Sequence, residues 1–139
     1  MNFISTVMVA VAVIIGVVLL VIMIFTRGRK RLLDQEKYRV RWLEIENGLD
    51  KKNITTYQFA VLAADKLLDQ ALQELGLAGD TTNERLKNAK GKFSNLNTVC
   101  VAHKLRDRIA HGADTNPSLT TTKRALAVFK KALKELGAI

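Results

Sequence analysis

"FAVLAADKLLDQALQELG", Phe59 to Gly76, decides the fold class of this chain. Ala60, Ala64, Leu67, Leu68, Ala71 and Leu75 recur every three or four residues, which places them on one stripe of a helix with about 3.6 residues per turn. Alanine and leucine are strong helix formers, and the run contains no proline. Thr55 or Thr56 offers a cap ahead of it, and Gly76 a stop behind it. The spacing therefore predicts a helix ending at Leu75 with one buried face.

The same logic extends toward the C-terminus. Thr81 and Glu84 form a capping-box pattern, which opens a shorter helix to about Lys90 ended by Gly91. Ser94 or Asn95 caps a helix from Leu96 to His111, stopped by Gly112. In "DTNPS", Pro117 disfavours a helical Asn116, while Asp114 and Asn116 bond neighbouring backbone, so this stretch is a turn. A last helix runs from about Leu119 to Leu136, with Leu119, Leu126, Phe129, Leu133 and Leu136 as its core face and Gly137 as its stop. No strand-like alternation of apolar and polar residues occurs anywhere. The fold class is all-α, a small four-helix bundle behind an N-terminal transmembrane helix and stalk.

Toward the N-terminus the pattern changes. From Met1 to Thr26 no side chain is charged, and Phe3 to Phe25 is almost wholly apolar. At about 1.5 Å per residue this run makes a helix of roughly 35 Å, enough to cross a hydrocarbon core of about 30 Å. A secretory signal peptide would need a basic n-region, a shorter apolar stretch and a small-residue cleavage site, and none is present. "RGRKR" at 27–31 follows directly, and the positive-inside rule puts everything after it in the cytoplasm. Arg27, Arg29, Lys30 and Arg31 suit anionic lipid head groups. Leu32, Tyr38, Trp42, Ile45 and Leu49 lie near helical spacing among mixed charges, so residues 27–50 read as a basic stalk helix ending near Asn47 and Gly48, with Trp42 packed on the domain that follows. The expected organisation is an anchor at 1–26, the stalk at 27–50 and a helical domain at 51–139, in a single-pass protein of the cell membrane.

The formal net charge is +9, and from Lys87 onward eleven Lys or Arg face three acids. A basic surface of this kind attracts phosphate backbones and anionic lipids alike. The lone Cys100 cannot form an intramolecular disulfide and fits a reducing compartment as a small core residue. Phosphate-binding glycine loops and zinc-type cysteine clusters are missing, which leaves most enzyme classes unsupported.

One polar stretch remains, "AHKLRDRIAHG" at 102–112. His103, Asp107 and His111 fall at i, i+4 and i+8, but the outer two are about 12 Å apart along a helix, too far to share one ion. No metal or cofactor is therefore expected. His103 reads as a packed or hydrogen-bonded scaffold residue. Arg106 and His111 have the chemistry for a phosphodiester, with imidazole moving a proton and guanidinium stabilising charge. Five residues along a helix turn them about 140° apart, unless Gly112 frees His111 in a fraying last turn or a second subunit supplies the partner. Asp107, four residues before His111, is placed to orient its ring.

"RDRIAH" resembles the R-x-x-x-x-H motif of the HEPN superfamily, in which Asn, Asp or His typically follows the arginine, as Asp107 does here. The Ala/Leu-rich helix before it, Gly112 after it and the closing helix are also similar, and the likeness covers roughly Ile54 to Leu136. The resemblance implies a small helical bundle, often dimeric, and in many members a metal-independent endoribonuclease. Arg106 and His111 would be its catalytic pair, with Asp107 in support. The 2′-hydroxyl would attack the adjacent phosphate to leave a cyclic phosphate, and dimerisation would bring two motifs into one cleft. Lys104, Arg108 and the basic C-terminal third would hold the RNA, and a protein partner such as an antitoxin would be in keeping. The alternative from the same residues is a non-catalytic, membrane-tethered interaction or scaffold module that binds a protein, nucleotide or anionic lipid.

The charge asymmetry around the span predicts a topology. Protease added outside intact cells is expected to leave residues 51–139 uncut, and their digestion would reverse the assignment.

Overall fold

The computed structural model of the chain describes residues 2–27, 32–112 and 114–139. It divides into two compact units, Met1–Lys30 and Arg31–Ile139, and among the described residues every regular element is helical. The first unit is α1, Phe3–Arg27. Its stretch Phe3–Ile24 is long and apolar enough to cross a membrane, and none of it is buried within the chain. Ile14 and Leu19 are 62% and 61% exposed, apolar surface that a bilayer would cover. The basic cluster from Arg27 to Arg31, read above as meeting lipid head groups, lies outside the described side chains.

The second unit holds α2 (Gln35–Asn47), α3 (Ile54–Glu74), α4 (Thr82–Asn88), α5 (Leu96–Ala110) and α6 (Leu119–Glu135). Each begins at a residue whose side chain accepts from an otherwise unpaired backbone N–H. Asp34 accepts from Lys37, Asn53 from Thr55, Asn95 from Thr98 and Ser118 from Thr121. The α3 cap is thus Asn53, two or three residues before the threonines favoured from sequence; Thr56 instead bonds Asp50 and the Asn53 carbonyl. Thr81 and Glu84 form the full capping box of α4. A glycine is required just ahead of that box. Gly79 has φ +142°, and a Cβ there would lie 2.8 Å from the Arg85 nitrogen.

α3 is the central helix and touches each of α2, α4, α5 and α6. Its buried face runs through Val61, Ala64, Leu68, Ala71 and Leu72, against Phe129 and Leu133 of α6 and Leu86 of α4 in one core. Burying side chains of this size contributes about 1.5–3 kcal/mol each before entropy is subtracted. Arg85 fixes the short α4 to α3 through a two-pronged pair with Asp69, at 2.8 and 3.0 Å, and a further bond to the Gly79 carbonyl.

The segment read as a stalk is an integral fifth helix of this unit. Residues 32–34 are non-helical and Asp34 starts α2 afresh. Tyr38 is wholly buried and Trp42 is 3% exposed, both within the common core, so the expected packing of Trp42 extends to the helix as a whole. Lys37 pairs with Glu74 at 2.8 Å and Lys130 with Glu46 at 2.7 Å, joining α2 to α3 and α6. The charged side chains of α2 lie on the outer face of a packed helix.

Integration of α2 has a measurable consequence. Tyr38→Ala is expected to cost about 3–5 kcal/mol, the usual penalty for emptying a large buried site, read as a lower urea midpoint for the single tryptophan, Trp42, of the chain in detergent. A free stalk helix would leave the midpoint unchanged.

Candidate functional site

The polar stretch lies on α5 facing α3, and the residue it faces is an acid. Asp65 occupies the apolar stripe of α3, beside Ala64 and four residues after Val61, and is 1% exposed. A carboxylate so placed is costly unless paired and hydrogen-bonded. His103, also buried, donates from Nδ1 to Asp65 Oδ1 at 2.8 Å. Arg106, one turn further along α5, sets its Nε 3.3 Å from Asp65 Oδ2. That contact is an ion pair without hydrogen-bond alignment, and Nε has no other partner.

Asp107 closes the group. It accepts from Arg106 Nη1 at 3.1 Å, and its other oxygen lies 3.5 Å from His103 Nε2. Two carboxylates, one guanidinium and one imidazole thus form a four-membered cluster between α3 and α5. The bond to Asp65 raises the His103 pKa above its ordinary 6.5, while burial pulls the other way. In its protonated form the ring donates from both nitrogens, one toward each carboxylate.

The residues expected to act together are only partly joined. Arg106 and Asp107 share the cluster, with side chains 36% and 41% exposed. His111 lies beyond it, exposed, as the residue that ends α5, and its backbone N–H bonds the Asp107 carbonyl at 3.0 Å. Gly112 follows at φ +68°, the left-handed stop anticipated for it. Among the described residues no hydrogen bond or ion pair links the His111 ring to Arg106 or Asp107, and the Asp107 carboxylate turns toward His103. Lys104 and Arg108 are exposed on α5, clear of the cluster. His103 is buried and hydrogen-bonded, the role given it from sequence.

Asp65 escaped the sequence reading, although a signal was present. It sits four residues after Val61 and three before Leu68, inside the apolar stripe, where an acid requires a buried donor from elsewhere in the fold. Among the described residues no group of three or more His, Cys, Asp or Glu side chains is arranged to hold a metal ion.

Comparison of the chain with protein-family models, curated proteins and solved structures gives no match.

The Asp65–His103 bond ties stability to pH. The folded state holds the His103 proton more tightly than the unfolded chain, so the stabilisation is complete below about pH 6.5 and is lost as pH rises through the higher folded value. The urea midpoint of the intact chain is expected to fall over that range, and Asp65→Asn to flatten the dependence. An identical slope in the variant would assign it to other groups.

Proposed function

We propose that the chain is a membrane-anchored, HEPN-like helical domain that cleaves RNA without a metal ion, pairing Arg106 of one copy with His111 of another. The observation that carries this reading is the state of Arg106. Asp65 and Asp107 engage it at Nε and Nη1, and no described contact uses Nη2. An arginine has five N–H donors, so this one is held in a fixed orientation with one edge left over for an anion.

His111 supplies the complementary half. It is exposed at the end of α5, where a second copy can approach it without disturbing the core. In the reaction the 2′-oxygen forms a bond to the adjacent phosphorus while the bond from phosphorus to the 5′-oxygen breaks. An imidazole takes the 2′-hydroxyl proton, another or the same group returns one to the leaving oxygen, and the Arg106 edge stabilises the charge gathered on the phosphoryl oxygens. The products are a cyclic phosphate and a 5′-hydroxyl. Lys104 and Arg108, on the same helix, would hold the RNA backbone. The domain would act on the cytoplasmic side of a cell membrane, with lipid head groups meeting the cluster from Arg27 to Arg31 and a protein partner such as an antitoxin as its control.

A second reading has one observation in its favour. The four-membered cluster carries two carboxylates against two potential cations, so it is close to neutral when His103 is protonated. A self-compensated cluster is what a non-catalytic module would use to lock α5 on α3.

The two readings part at His111. Under the first, the intact chain in detergent cleaves single-stranded RNA in EDTA, and His111→Ala, an exposed change with little cost to the fold, lowers the rate by about 10²–10⁴. Arg106→Lys lowers it too, because one ammonium cannot keep both carboxylates and a free donor edge. Equal cleavage by wild type and both variants would leave the interaction module as the reading.

A further inference from the structure

The outer faces of α5 and α6 enclose a groove of which the RNA reading uses Arg108 alone. Its volume is about 320 Å³, its floor is Val101, Leu105 and Val128, and Arg108, Thr121 and Arg124 stand around it. Val101 is 58% exposed, an apolar side chain left facing solvent on an otherwise charged pair of helices. No carboxylate lines the groove. Among the described residues neither Arg108 nor Arg124 makes an ion pair, whereas Arg85 and Arg106 are both held by buried or half-buried acids. The larger groove between α2 and α3, about 900 Å³, differs in kind, because Glu36 and Glu44 line it together with Lys37 and Arg41. Of these two grooves, the one between α5 and α6 combines an apolar floor with charge of one sign.

We infer that this groove binds an anionic phospholipid at the surface of the membrane in which the chain is anchored, with acyl carbon on Val101, Leu105 and Val128 and the phosphate between Arg108 and Arg124. A lipid is the occupant whose chemistry matches both halves of the groove. Its phosphate accepts guanidinium hydrogen bonds, and its chain covers apolar surface that a nucleic acid backbone leaves wet. The same polypeptide carries Phe3–Ile24, so a bilayer is the surface this groove meets at the highest effective concentration. The inference uses neither His111 nor Arg106, the pair proposed for RNA cleavage, and shares only Arg108 with that reading.

The test places an environment-sensitive fluorophore at the groove rim, on Asn97→Cys in a Cys100→Ser background, in the full chain reconstituted into vesicles. Vesicles of phosphatidylcholine alone are compared with vesicles of equal parts phosphatidylcholine and phosphatidylglycerol. The expected result is a blue shift and a gain in intensity with phosphatidylglycerol only. Arg108→Glu with Arg124→Glu should abolish it, and Lys87→Glu with Lys90→Glu, an equal charge reversal at and just past the end of α4, should leave it in place. Loss in the Lys87→Glu, Lys90→Glu control would reduce the effect to the general positive field and overturn the site. So would the same shift in both vesicle types, or a shift in phosphatidylcholine vesicles on adding inorganic phosphate or a short RNA. Arg108→Lys with Arg124→Lys keeps the charge and guards against misfolding, and should retain most of the signal.

Discussion

The hydrogen bond from His103 to Asp65 is the constraint on which the arrangement of the helical unit turns. It joins two helices through groups that are both almost wholly buried, where a lone carboxylate would cost several kcal/mol. Apolar side chains hold α3 and α5 together in any of several neighbouring registers, because leucine and alanine surfaces tolerate sliding. A buried ion pair does not tolerate it. With Asp65 met by His103, the next turn of α5 brings Arg106 over the second carboxylate oxygen, and the turn geometry then leaves Asp107 within reach of both. Burial of one acid thus dictates where Arg106 points.

This also explains why the cluster and the end of α5 behave differently. The interior half of the polar stretch is satisfied by groups from α3. The outer half, Arg108 in the last turn and His111 at its end, finds no such partner among the described residues. Placed five residues apart, Arg106 and His111 belong to different environments within one chain, as the helical rotation between them requires.

Much of the fold was legible because helix ends and apolar stripes are local. The capping box at Thr81 and Glu84, the stop at Gly112 and the core positions Leu67, Leu68, Phe129 and Leu133 all follow from neighbours in sequence. Two things were hidden. The start of α3 moved to Asn53 because Thr56 is drawn into bonds with Asp50, a choice between adjacent capping residues that propensity does not decide. The burial of α2 escaped because its charges are evenly mixed, and only Tyr38 and Trp42, one turn apart, mark its inner face. In the candidate site, Arg106, Asp107 and His111 were visible as a pattern. Asp65 was not, since its partner is 38 positions away in the chain and pairings of that kind are set by tertiary packing.

The way the unit closes on itself has a spatial consequence. Gln35 donates to the Gly137 carbonyl at 3.2 Å, and Leu33 and Ala138 share the core, so the chain enters the unit beside the end of α6. Ser94, just before α5, bonds Glu135 at the same pole. α5 therefore runs away from the entry point, and His111 and Gly112 lie at the opposite pole, about 25 Å off along the length of α6. Leu33 and Ala138 thus sit together at one pole of the helical unit, and the exposed imidazole of His111 stands at the pole free of them.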